Sequence, residues 1–205
     1  MACKLLIATN NRGKVMEFRS MLSGSGFDLV TPADTGMKTV VEETGSSYEE
    51  NARLKATIFA AESGLLSLAD DSGLEVDALG GEPGVRSARY AGEMASDAER
   101  VRFLLGRLAG VPWEKRTARF RCVIALATPA GEIALCHGEC QGVITLEAKG
   151  TFGFGYDPVF YFPELGKTMA ELQPEMKDRV SHRGHAAAKA REIIGRPPFT
   201  CGAGH

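Results

Sequence analysis

The chain has 205 residues, 24 basic against 26 acidic side chains, four histidines and 44% apolar residues. That length suits one domain, or two lobes sharing a core, and the near-cancelling charge with abundant apolar residues excludes disorder. A formal charge of −2 argues against a general nucleic-acid binder, and the longest apolar run, Cys122 to Ala127, falls far short of the roughly 20 residues that cross a bilayer.

The first residues carry one Lys and the short run Leu5 to Ala8 before turning polar, which is not the pattern of a secretory leader. A cytoplasmic protein without a membrane partner is expected. Five cysteines without framework spacing read as reduced thiols. The cluster Cys136-His137-Gly138-Glu139-Cys140 resembles a metal motif. On a strand, however, residues four apart are about 13 Å from each other, too far to share one zinc unless the chain bends at Gly138.

Lys4 to Ala8 reads as a buried strand. The polar stretch Thr9 to Lys14 follows, then a helix with Val15, Phe18 and Leu22 on one face, closed by Gly24-Ser25-Gly26. Ser47 and Glu50 have the spacing of a capping box for a second helix, running to about Glu62 and stopping at Gly64. Asn51 and Lys55 share a face of that helix. Leu65 to Ala69 is a predicted strand leading into Asp70-Asp71-Ser72-Gly73, and Gly80 to Gly92 a loop. Ser96 and Glu99 form another capping box, for a helix burying Val101, Leu104, Leu105 and Leu108.

Alternation from Thr117 to Thr128, the turn Pro129-Ala130-Gly131 and the arm Glu132 to Leu146 spell a hairpin. A Gly/aromatic stretch, Gly153 to Pro158, precedes a helix near Met169 to Lys177 and a last one from Ser181 to Gly195. The fold class expected is α/β with a mixed sheet flanked by helices.

Four groups of residues could carry chemistry. The loop from Thr9 through Asn11 to Lys14, between strand and helix, offers hydroxyl, amide, ammonium and helix N–H groups to a phosphate. Ala8 and Val15 stand where a Walker loop needs Gly and Ser or Thr. The alternative is a solvated loop with a capping Asn. Glu42, Glu43, Asp70 and Asp71 suit Mg²⁺, a hard cation bound by oxygen. Successive side chains on a strand point oppositely, so the two Asp should have different roles; a turn-forming Asp-Asp-Ser-Gly is the rival reading.

The cations Lys55, Lys177, His182 and Arg183 form the third group. Positive charge in the first turn of a helix opposes its dipole, so Arg183 implies a nearby anion or base edge, or else a structural pair with a local Glu. His185 reads as a surface residue. In the fourth group, Phe154 and Tyr156 could stack on a nucleobase beside Asp157, although Asp157-Pro158 is also an ordinary turn.

Taken in order, "TNNRGK", "EETG", "YEENARLKA", "ADDSGLEVDALGGEPGVRSARYAG", "GTFGFGYDPVF" and "SHRG" resemble the inosine triphosphate pyrophosphatase family of Ham1/RdgB type, from Thr9 to about Arg183. The resemblance implies a single domain over residues 1–205, elongated, with two lobes around a substrate cleft. It implies a homodimer that hydrolyses ITP, dITP and XTP to the monophosphate and pyrophosphate with Mg²⁺. Carried onto this sequence, it makes Asp71 the catalytic and metal-associated residue and Glu42 the metal carboxylate, with Glu43 as substitute. Substrate binding falls to Thr9, Asn10, Asn11, Arg12, Gly13, Lys14, Lys55, Ser72, Phe154, Gly155, Tyr156, Asp157, Lys177, His182 and Arg183. Residues 199–205 lie outside the resemblance.

The chemistry of such a reaction agrees. A triphosphate brings about four negative charges that must be neutralised, and release of pyrophosphate needs water at the α-phosphorus, with Asp71 orienting or deprotonating it. Donors at His182 and Arg183 would pair with the 6-oxo group of hypoxanthine and repel the adenine amine. Two other readings are a Maf-type nucleotide pyrophosphatase and a sensor that binds nucleotide without cleaving it.

Overall fold

The computed structural model describes residues 3–200. Seven strands form one sheet in the order β2-β1-β3-β4-β5-β6-β7. They are β1 (Cys3–Ile7), β2 (Phe27–Val30), β3 (Leu66–Val76), β4 (Thr117–Ala127), β5 (Ile133–Ile144), β6 (Phe160–Phe162) and β7 (Lys167–Thr168). The helices are α1 (Arg12–Met21), α2 (Tyr48–Ser63), α3 (Asp97–Arg107), α4 (Pro174–Val180) and α5 (His182–Ile193). β1 runs parallel to β2 and β3, whereas β6 is antiparallel to β5 and β7. The sheet is therefore mixed and the fold α/β, as the alternation of elements indicated.

The chain divides into two compact units. The first holds residues 3–71, 122–138 and 183–200; the second holds 72–121 and 139–182. In the first, Leu5 and Ile7 of β1, Phe18 and Leu22, Leu68 of β3, and Ile124 and Leu126 of β4 pack with Ala186, Ala187 and Ala190 of α5. A strand in a parallel sheet is buried on both faces, so β1 has no polar alternation: Leu5, Leu6 and Ile7 are all fully buried. The second unit packs Leu74 and Val76, Val101, Leu104 and Leu108 of α3, and Phe120 against Phe160, Met169 and Leu172.

Local signals fix the helix ends. Ser47 Oγ accepts the Glu50 N–H, and Gly64 ends α2 in the left-handed region with φ +67°. The reciprocal half of this box is displaced by one residue, because the Glu50 carboxylate takes the N–H of Ser46. The Ser96–Glu99 box at α3 is complete in both directions.

Several expectations change. β3 does not stop at Ala69 but continues through Asp70-Asp71-Ser72-Gly73 to Val76, so the acidic pair lies within a strand and the turn reading falls. The stretch Gly80 to Gly92 contains a 3₁₀ helix, Gly84–Arg89, preceded by another at Asp77–Leu79. In place of one helix from Met169 to Lys177 there are a 3₁₀ turn, Met169–Glu171, and α4, with Pro174 beginning the latter. The Cys136–Cys140 segment lies within strand β5. Cys122, Cys136 and Cys140 are buried free thiols, but Cys3 is disulfide-bonded, against the all-reduced expectation. Residues 201–205 lie outside the described residues. No helix among the described residues is long and apolar enough to cross a membrane.

Candidate active site

The first unit brings the acidic pair, the polar loop and two cations of the later sequence together. β1 delivers the chain to Thr9, whose Oγ1 accepts the Asn11 N–H at 3.2 Å. Asn11 caps α1, its Oδ1 accepting the Lys14 N–H at 3.1 Å. The capping-Asn and anion-site readings thus share one geometry, because the cap fixes the loop beside the N–H groups at the start of α1. Asn10 and Arg12 are exposed, and Thr9, Gly13 and Lys14 half-buried.

Lys14 Nζ lies 3.0 Å from Asp70 Oδ2, and the Arg183 guanidinium donates to the same oxygen from Nε at 3.2 Å and Nη2 at 3.1 Å. Arg183 Nη1 donates to Glu17 Oε2 at 2.7 Å. Lys55 Nζ donates to Glu43 Oε1 and to the Asp70 carbonyl. On the other side of the strand register, Asp71 Oδ2 accepts from Asn51 Nδ2 at 2.9 Å. Alternation along the strand separates the pair: Asp70 is an ion-pair hub, and Asp71 is held by an amide.

The two carboxylates titrate in opposite directions. Burial raises both. At Asp70 the charges of Lys14, Arg183 and Lys55 overcome burial and hold the carboxyl well below the usual range. At Asp71 burial prevails with help from the negative charge of Glu43, and the carboxyl is pushed up despite Lys55 and Asn51. A carboxylate raised by burial and by a second carboxylate can hold a proton or a cation.

Arg183 corrects one expectation. The anion that its place in α5 demands is supplied within the protein, by Asp70 and Glu17, rather than by a local Glu. Neither partner is near in sequence, so no spacing could reveal them. Glu42, the expected metal carboxylate, is exposed, while Glu43, its substitute, pairs with Lys55 and lies beside Asp71. Glu17 and Asn51 are site residues that the sequence reading did not single out as such. Both stand in helical register with a chosen lysine, Glu17 three after Lys14 and Asn51 four before Lys55.

The second unit assembles a different set. Asp157 Oδ2 accepts the Phe154 N–H at 2.9 Å and the Lys177 ammonium, which lies 4.9 Å from the centre of the Phe154 ring. The Gly155 N–H donates to Asp97 Oδ2 at 2.8 Å, an anchor that the sequence reading missed. Gly153 is required as glycine: its φ is +75°, and a Cβ would meet Asp157 Oδ2 at 2.0 Å. His182 is buried and stacks face to face on Phe120, with centroids 4.6 Å apart and planes at 11°. Tyr156 departs from the stacking reading. It is buried in this unit's core, its hydroxyl donating to the Ser87 carbonyl at 2.9 Å. Phe154, half-buried, is the aromatic that remains for a base. Ser72, half-buried, follows Asp71 on β3, and His185 is exposed as expected.

These two constellations fall within a stretch that a single family model covers, residues 5–193, the Ham1 family. The chain belongs to the Ham1 family. A relative from Desulforamulus reducens named dITP/XTP pyrophosphatase is 53% identical over 193 residues, 94% of this chain and 96% of the relative. A Ham1 protein structure from Coxiella burnetii superposes with a TM-score of 0.84 at 40% identity, covering 94% of this chain and 98% of that one. The Staphylococcus aureus Ham1 protein gives 0.83 at 41% identity, over 93% and 97%. Ham1 membership thus rests on sequence and fold together, and it sets aside the Maf-type reading.

Proposed function

We propose that this Ham1 chain is a Mg²⁺-dependent nucleoside triphosphate pyrophosphohydrolase that converts ITP, dITP and XTP to the monophosphate and pyrophosphate. The observation that carries the proposal is the meeting of Lys14, Lys55, Arg183 and the raised carboxyl of Asp71 in one unit. Relatives named dITP/XTP pyrophosphatase, about half identical over nearly the whole chain, support the substrate class.

The charge balance supports the metal. Three cations, Lys14, Lys55 and Arg183, already face four carboxylates, Glu17, Glu43, Asp70 and Asp71. The set is therefore formally anionic by one charge and cannot by itself neutralise a triphosphate carrying about four. The donors are carboxylate oxygens, which fit Mg²⁺, and Asp71 with Glu43 would hold it. When bound, Mg²⁺ supplies phosphate neutralisation and acidifies a coordinated water.

The residues then divide the work. Thr9 to Lys14 present side-chain donors and the start of α1 to the phosphates, with Ser72 and Lys55 as further contacts. Lys14 can exchange part of its pairing with Asp70 for phosphate oxygen. Asp71, its carboxylate pinned by Asn51, orients the attacking water toward the α-phosphorus and accepts its proton. In the second unit Phe154 offers a ring face to the base, while Asp157 and Lys177 hold the glycine-flanked loop in shape. His182 is assigned to the base edge, and Arg183 acts beside it through its network with Asp70 and Glu17.

In this reading the chain acts as one domain on one nucleotide, and cytoplasmic placement and a homodimer belong to the same proposal. The test is incubation of ITP, dITP, XTP, ATP and GTP with the protein, with and without Mg²⁺. Pyrophosphate from the first three only, and only with metal, is the expected result. Equal turnover of ATP overturns the base assignment, and binding without any product leaves the sensor reading.

A further inference from the structure

We propose that Asn51 is a positioning residue for the reaction: it clamps the Asp71 carboxylate to the segment that carries Glu43. The inference rests on the reading of Asp71 as catalytic.

Asn51 lies on α2 and is only 1% exposed. Both ends of its amide are engaged, with different partners. Nδ2 donates to Asp71 Oδ2 at 2.9 Å, and Oδ1 accepts the Gly45 N–H at 2.8 Å. A buried amide with one end unsatisfied costs free energy, so each bond makes the other more secure.

The approach from the Gly45 side is close. A Cβ on Gly45 would come within 2.6 Å of Asn51 Oδ1 and 2.8 Å of Glu50 Cβ, so this backbone lies directly on the amide. Glu43 stands two residues earlier in the same segment, salt-bridged to Lys55 one turn along α2 from Asn51. The carboxylates of Asp71 and Glu43 are thereby referred to one rigid helix.

The chemistry of the side chain is specific. A carboxylate rotates about its last bond unless an oxygen is pinned, and pinning Oδ2 sets the direction in which the group meets a water. Only an amide of this length supplies a donor for Asp71 and an acceptor for Gly45 together. Aspartate keeps the acceptor, loses the donor and sets two carboxylates against each other.

The two ends can be separated experimentally. Steady-state kinetics with ITP and Mg²⁺ would compare the natural chain with Asn51→Asp, Asn51→Ala and Gly45→Ala. Rates are normalised to the folded fraction, and exchange of the Gly45 amide proton is followed by NMR. In Asn51→Asp the Gly45 proton stays protected while kcat falls by about 10²-fold, with KM for ITP within about threefold. Asn51→Ala loses both protection and rate. Gly45→Ala, which alters neither carboxylate, lowers kcat in the same manner by pressing on Oδ1. If Asn51→Asp keeps kcat per folded molecule within about twofold, or if the variants lose only melting temperature, Asn51 is merely structural and the clamp is overturned. A natural chain that leaves ITP intact overturns the functional reading first, and is recognised without any variant.

Discussion

Asp70 and Asp71 occupy consecutive positions of one strand, yet their surroundings push their protons in opposite directions. Asp71, with its pKa raised on folding, contributes stability below the ordinary carboxyl value of about 3.9 and loses it as pH rises through the folded value. At neutral pH its charge is therefore a cost to the fold. Asp71→Asn should remove turnover by about 10²- to 10⁴-fold and at the same time raise the melting temperature of the metal-free protein near pH 7. That gain should disappear in melts below about pH 4. An active variant, or one that is destabilised at neutral pH, contradicts the assignment. Asp70 carries the reverse sign: its network stabilises above about pH 3.9 and fades as pH falls through the lowered folded value. Removing the guanidinium leaves Asp70 and Glu17 without their shared buried cation, so Arg183→Ala should cost about 3–5 kcal/mol in urea unfolding at pH 7. A cost below about 1 kcal/mol would place the pair among weak surface bridges. Sequence showed that Arg183 needs an anion but not which one, since its partners lie 113 and 166 residues away.

Among the elements, helix ends were the most readable because caps are local chemistry. Ser47, Gly64 and Ser96 stand where their spacing put them. Ser96→Ala should lower stability by about 1 kcal/mol, measured as a shift in the urea midpoint at constant slope. The extent of β3 was not readable. Asp-Asp-Ser-Gly has turn composition, and the cations gathered around Asp70 and the amide at Asp71 help make those residues compatible with a buried strand. The burial of the Tyr156 ring was unreadable for a related reason, since a glycine-flanked aromatic looks the same in sequence whether it faces a ligand or a core. In the loop that holds it, Gly153→Ala must drive a Cβ into the Asp157 carboxylate from a left-handed backbone. The Asp157–Lys177 pair and the Phe154 N–H bond should both be lost. The expected outcome is a KM for ITP raised by about tenfold or more with a smaller change in kcat. An unchanged KM would remove this loop from base binding.

For the whole molecule, the α/β class and the Ham1 relationship were legible because six separated motifs appear in one order, which no single motif could establish. What the sequence left open was which charges pair with one another. The structure answers that within the first unit: Lys14, Lys55 and Arg183 are each paired with a carboxylate. The central claim, water attacking the α-phosphorus with pyrophosphate leaving intact, is tested most directly by turning over ITP with Mg²⁺ in ¹⁸O-labelled water and locating the label by mass spectrometry. The account requires ¹⁸O in the phosphate of IMP and unlabelled pyrophosphate. Label in the pyrophosphate, or release of IDP with labelled orthophosphate, would contradict it.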